Sequence, residues 1–225
     1  MGELKVGKMV LGMVETNCYF VYDADTKNAV VIDPAKKGLY DKLSENGLKV
    51  SAILLTHGHF DHIMGVHELT KLSGAKVYAL KEEVKLCGDA DLNASNQIRI
   101  PYTVEVDEEL SDGQEFEIAG IKFKVLATPG HTEGSCCYYI ESEKWLFTGD
   151  TLFCGSIGRT DLPTGDGKKI MESVHMLINT FDEDKIPFGL RFIAVPESPP
   201  FASFITSAPH ISLVLLLNLS FTYSS

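Results

Sequence analysis

A mixed α/β (α+β) fold, with sheets and helices packed as layers, is what this 225-residue sequence predicts. Three observations lead there. Apolar and β-branched residues cluster in short runs separated by turn signals. Strand-like runs outnumber helical ones, and the helical periodicities come singly after groups of strands, so each kind of element must bury its apolar side on the other. With 44% of its residues hydrophobic, the chain has enough apolar surface for the core of one large domain or two small ones.

The elements follow in order. Residues 5–11, 17–22 and 28–32 read as three strands with short connections, the last through the polar segment 23–27. Residues 50–55 and 76–80 are candidate buried strands, and a helix over 62–73 between them is stopped by Gly74. In the second half, 115–118, 121–127, 135–140 and 145–147 read as strands, with hairpin signals at Ser111-Asp112-Gly113 and at Ala119-Gly120. A late helix over 168–181 is predicted from Ile170, Val174, Leu177 and Phe181, spaced by four, three and four residues.

Twenty basic against 31 acidic residues give a net charge of −11, which repels a phosphate backbone, and no local basic patch offsets it. Nucleic acid is therefore not an expected partner. Cys18, Cys87, Cys136, Cys137 and Cys154 form no C-x-x-C pair, and the adjacent Cys136 and Cys137 would point to opposite faces of a strand, so they read as buried thiols. The opening MGELKVGKMVLG lacks the apolar core of a signal peptide, and a cytoplasmic location is the expectation.

Chemistry concentrates after residue 55, in Thr56-His57-Gly58-His59-Phe60-Asp61-His62, with four potential metal ligands in six residues. In an extended segment His57, His59 and Asp61 emerge on one side, and His62 turns as a helix begins. Imidazole and carboxylate suit zinc, with iron and manganese as alternatives. The plain alternative is a solvent-exposed histidine-rich turn, which leaves the concentration of three of the seven histidines unexplained. His131 follows Thr128-Pro129-Gly130 and Asp150 follows Phe147-Thr148-Gly149, each just beyond a strand, where sheet scaffolds present function. Alone, either would pass as a turn residue. His67 sits about 140° around a helix from His62 and reads as a surface or supporting histidine. His175 reads as a partly buried helix residue, and Phe60 as a packing residue beneath the loop or a pocket wall.

These three segments together resemble the metallo-β-lactamase fold hydrolases, and residues 152–165, LFCGSIGRTDLPTG, are similar to their glyoxalase II-like branch, the hydroxyacylglutathione hydrolases. The resemblance covers residues 1–186. It implies a four-layer αββα sandwich with the metal site at one edge of the two sheets. By position in the motifs, His57, His59 and His131 match the ligands of a first metal, Asp61 and His62 those of a second, and Asp150 the carboxylate bridging both. Asp33, in VVIDP, matches an aspartate supporting the metal loop, although alone it would read as a strand-end turn former. One or two zinc ions are implied, with Asp61 and Asp150 as catalytic carboxylates and metal-activated water attacking the carbonyl of a small thioester. Lactam cleavage and persulfide oxidation at a single iron are alternatives within the fold. Arg159, Lys168 and Lys169 could meet an acidic substrate group, though the lysines read more simply as a solvated helix start. The oligomeric state is left open.

Two departures qualify the resemblance. The family's Pro-Gly-His-Gly turn, source of a last histidine for the second metal, is missing: the corresponding residues 191–200, RFIAVPESPP, hold no histidine. His210 lacks neighbouring glycines, and Glu197 reads as a rim carboxylate. Residues 187–225 also carry only two formal charges, Arg191 and Glu197, but five of the nine prolines. This tail could be a membrane segment, an apolar arm packed on the domain or a partner, or the product of a frameshift or wrong gene model. The third reading is favoured because the loss of charge coincides with the loss of the motif. The domain is then incomplete at its C-terminal edge, an inactive metal-binding or interaction protein becomes a further alternative, and glutathione specificity is in doubt because the usual basic helical extension is absent.

Overall fold

Alternation along the strands gives each sheet two apolar faces, and covering all of them produces four layers. The computed structural model describes residues 2–153 and 155–181 and the short strand Arg191–Phe192. Cys154, Glu197 and His210, and the expectations for the tail, lie outside the described residues.

The first sheet takes its strands in chain order: β1 (Leu4–Leu11), β2 (Thr16–Asp23), β3 (Asn28–Ile32), β4 (Lys49–Leu54), β5 (Lys76–Leu80) and β6 (Glu108–Leu110). It is antiparallel from β1 to β3 and parallel from β3 to β6. Helices α1 (Leu39–Glu45), α2 (Phe60–Ile63) and α3 (Val66–Ser73) lie in its crossovers, and a 3-10 turn, Lys81–Glu83, and α4 (Val84–Cys87) follow β5. The second sheet is built on the antiparallel β7 (Glu115–Ile118), β8 (Ile121–Ala127), β9 (Cys136–Ile140) and β10 (Trp145–Phe147). A small pair, β11 (Leu152–Phe153) with β12 (Ser156–Ile157), and α5 (Gly167–Thr180) follow, and β13 (Arg191–Phe192) joins β10 in parallel.

Between the sheets, Val30, Ile32, Ala52 and Leu54 meet Phe123, Tyr138 and Phe147. On the outer face of the first sheet, Val31, Ile53 and Leu55 lie under Leu39, Leu43, Val66 and Leu69 from α1 and α3. Outside the second, Cys137 and Leu146 lie under Leu177 and Phe181. Each such burial contributes about 1.5–3 kcal/mol. Helices on both outer faces complete the αββα sandwich. Cys136 and Cys137 do face opposite cores, and Cys18, Cys87, Cys136 and Cys137 are free, buried thiols.

Several local expectations need correction. The helix over 62–73 is two helices, α2 and α3, broken at Gly65, whose N–H donates to the Pro34 carbonyl at 2.7 Å. The Ser111-Asp112-Gly113 turn leads from β6 in one sheet to β7 in the other instead of closing a hairpin. Ala119-Gly120 does close one, with both residues at positive φ, 56° and 79°. His175 is exposed on α5, whose buried face is Ile170, Ser173, Val174 and Leu177.

Candidate metal centre

The donors gather because four strands end at one edge of the sandwich. Asp33 follows β3, the His57–His59 loop follows β4 and runs into α2 with Asp61 and His62, His131 follows β8, and Asp150 follows β10. Asp33 is at φ 52°, and its Oδ1 and Oδ2 accept from the Thr56 N–H (2.8 Å) and hydroxyl (2.7 Å). That clamp fixes the start of the histidine loop.

His59 Nδ1 and His57 Nε2 lie 2.9 Å and 3.2 Å from His131 Nε2. Tetrahedral ligands at zinc distances of about 2.0–2.1 Å stand about 3.3 Å apart, close to this spacing. Neighbouring groups set the tautomers. His131 Nδ1, 2.8 Å from the Arg159 carbonyl, must carry a proton to donate there. The Thr56 hydroxyl gives its proton to Asp33, so it accepts from His57 Nδ1–H at 3.1 Å. Both Nε2 atoms therefore turn lone pairs toward each other, an opposition that a cation relieves.

A second cluster adjoins the first. His62 Nε2 is 3.3 Å from Asp150 Oδ1 and 3.4 Å from Asp61 Oδ2, and Asp150 Oδ2 is 3.5 Å from His131 Nε2. One carboxylate thus spans both clusters. Asp61 Oδ2 also accepts from the Thr16 hydroxyl at 2.7 Å. His62 Nδ1 is 3.0 Å from Asp33 Oδ2, at ion-pair distance but without hydrogen-bond alignment. His57, His59 and His131 form one convergent donor set, and His57, His62 and Asp150 another. The site can hold one or two divalent cations, and zinc, iron and manganese all suit its donors.

Electrostatics divide the histidines. Burial, reinforced by the neighbouring imidazoles, holds His57 well below the usual histidine range and His59 at about 3, so both are neutral and ready to ligate. Burial opposes charge on His62 too, but Asp61, Asp150 and Asp33 outweigh it and raise His62 well above its ordinary value. For Asp150 burial is likewise overcome, chiefly by His62 and His131, and it titrates at about 2.

All six expected donors and Asp33 meet at this edge. Arg159 enters through its carbonyl, while its exposed guanidinium forks onto Asp161 at 2.7 Å and 2.6 Å. His67 is exposed and faces the Tyr102 ring, 4.4 Å away between centroids. Sequence reasoning missed Glu83, buried behind the histidine loops. Burial pushes its carboxyl up to about 7, against the N–H groups of Gly58 and Gly134 and the Thr132 hydroxyl, which favour the ionised form. Its one sequence signal is its place just beyond a parallel strand.

An αββα sandwich that gathers histidines and carboxylates from strand ends at one edge defines a class of metal-binding proteins of hydrolase type. Residues 11–189 match the model of the Metallo-beta-lactamase superfamily, and the chain belongs to that superfamily. Hydroxyacylglutathione hydrolase GloC of Haemophilus influenzae is 32% identical over 180 residues, 76% of this chain and 83% of that one. Among solved structures, the BLEG-1 B3 metallo-beta-lactamase aligns with TM-score 0.77 at 35% identity, covering 87% of this chain and 92% of its own. TTHA1623 in a di-iron-bound form gives TM-score 0.71 at 31% identity over 86% and 92%. Among the described residues no helix is long and apolar enough to cross a membrane.

Proposed function

We propose that this protein is a metal-dependent hydrolase of small thioesters, of the hydroxyacylglutathione hydrolase kind, acting in the cytoplasm. The observation that carries the reading is the convergence of His57 Nε2, His59 Nδ1 and His131 Nε2, with the Asp150 carboxylate reaching from their edge to His62. In this assignment His57, His59 and His131 would hold a first cation and Asp61 and His62 a second, and the Asp150 carboxylate, within 3.5 Å of His131 and 3.3 Å of His62, would serve both. Two features support the branch: the similarity of residues 152–165 to those hydrolases, and the hydroxyacylglutathione hydrolase of Haemophilus influenzae among the relatives.

A bound divalent cation supplies Lewis acidity, lowering the pKa of water and polarising a carbonyl. The protein's own groups do the rest. The Arg159 carbonyl and the Thr56 hydroxyl hold two imidazoles in the tautomer that turns Nε2 inward. Asp61 and Asp150 keep 17% and 26% of their side-chain surface open and would orient the attacking water, with Asp61 placed to take up its proton while Asp150 stays ionised. A thioester fits because its leaving thiolate needs little protonation.

The second reading is a single-iron persulfide oxygenase. It draws on the completeness of the three-histidine set, whereas among the described residues His62 is the one histidine specific to the second cluster. We further propose that residues 1–186 form the hydrolase domain and that 187–225 are not its native continuation. Elemental analysis combined with thioester, lactam and persulfide assays tests these readings. Thioester turnover abolished by chelation is expected. Oxygen consumption with a persulfide would select the iron reading, and metal binding without turnover of any substrate would leave a binding protein.

A further inference from the structure

We propose that Glu83 is a positioning residue that locks the two histidine loops together, so that His57, His59 and His131 meet at one point; this rests on the metal-centre reading. Glu83 ends the turn after β5 and is 1% exposed. Its Oε1 accepts from the N–H of Gly58, the residue between His57 and His59, at 2.8 Å. Its Oε2 accepts from the hydroxyl of Thr132, directly after His131, and from the Gly134 N–H, both at 2.9 Å. One carboxylate thus reaches two loops more than 70 residues apart.

Shape supports the same role. A Cβ on Gly58 would stand 2.6 Å from Cys87 Sγ, and one on Gly134 would stand 2.3 Å from the Glu83 backbone nitrogen. Both loops are therefore pressed onto segment 83–87, and the carboxylate fills the gap between them. Burying a carboxylate without a cationic partner is costly, and among the described residues no lysine or arginine forms an ion pair with Glu83. Three donors aimed at its two oxygens stand in for one. Two of the three, the Gly58 and Gly134 N–H groups, can only donate, so each carboxylate oxygen keeps a fixed donor behind loops that would carry a divalent cation.

The test compares wild type, Glu83→Gln, Thr132→Val and Thr132→Ser. Zinc affinity is measured by chelator competition, the Co(II) spectrum is recorded, and melting temperatures are taken with and without zinc. Glutamine keeps the size but turns an NH2 group toward one set of donors. Zinc affinity should fall about 10–100-fold, the range for partners of metal ligands. The Co(II) bands should change, and the zinc-induced rise in melting temperature, taken against each variant's own metal-free value, should shrink; the metal-free Glu83→Gln protein should itself melt about 6–12 °C lower, as for a buried carboxylate that loses its donors. Thr132→Val should show a smaller loss that Thr132→Ser restores, and this pair decides the matter if Glu83→Gln does not fold. Wild-type zinc affinity and Co(II) spectrum in either Glu83→Gln or Thr132→Val would overturn the role of Glu83 alone. A wild-type protein that binds no zinc or cobalt would overturn the metal-centre reading with it.

Discussion

Replacing Asp33 by asparagine changes one atom of the clamp under the metal loop and almost no volume. The aspartate accepts from the Thr56 N–H and hydroxyl and stands 3.0 Å from His62 Nδ1. Asparagine keeps one acceptor oxygen and must turn its NH2 either to the Thr56 amide or to the Thr56 hydroxyl and His62, all of which present protons. A hydrogen bond to a charged group contributes roughly 1.5–3 kcal/mol, and breaking a buried pair costs roughly 3–5 kcal/mol, so Asp33→Asn should destabilise the fold by about 3 kcal/mol. In a chain of this size that lowers the melting temperature by about 6–12 °C. Asp33→Ala should lose at least about 1 kcal/mol more, because alanine tolerates the φ of 52° poorly and asparagine tolerates it well. Urea denaturation of the metal-free proteins measures both. An Asp33→Asn variant within about 0.5 kcal/mol of wild type, or an alanine variant as stable as the asparagine one, would refute the reasoning.

The metal-free protein should also show a characteristic pH dependence. His57 and His59 have folded values below the unfolded value of about 6.5, so their contribution is complete above that pH and is lost as pH falls below it, for His59 toward about 3. His62 is raised, so its contribution is complete below about 6.5 and fades as pH rises through its folded value. Urea midpoints across pH should lose the acid limb's steepness in His59→Gln and the alkaline limb's in His62→Gln; unchanged slopes would count against the assignment. Arg159→Ala should change kcat and KM less than about twofold, because the backbone carbonyl holding His131 remains; a tenfold rise in KM would instead make the guanidinium a substrate contact. Translating the alternative frames of the gene beyond codon 186 should reveal a Pro-Gly-His-Gly turn, and its absence from both frames would remove the frameshift proposal. Restoring such a turn should raise the second metal's occupancy in elemental analysis.

Much of this architecture can be read from the chain because its strands are short β-branched runs with sharp ends. The expected strands 28–32, 76–80, 115–118, 121–127 and 145–147 coincide with observed ones. The histidine loop was legible from its own density of histidines, whereas His131, Asp150 and Asp33, each of which alone passes as a turn residue, were legible through the resemblance of their motifs to a known family. Helix α1 escaped because it has only Leu39 and Leu43 as buried anchors and its N-cap, Gly38, makes no side-chain bond. Strand β6 escaped because two of its three residues are glutamates. Glu83 looks in the sequence like part of a solvated Lys-Glu-Glu run. Its importance depends on two loops from distant parts of the chain, and no periodicity encodes that meeting.

The division of the donors between the sheets has a consequence for synthesis of the chain. His57, His59, Asp61 and His62 leave the ribosome long before His131 and Asp150. A nascent chain that has completed only the first sheet offers an ion half a cage. Capture must wait until the second sheet docks, so an ion that binds tightly also rivets the two halves of the finished molecule and slows their parting.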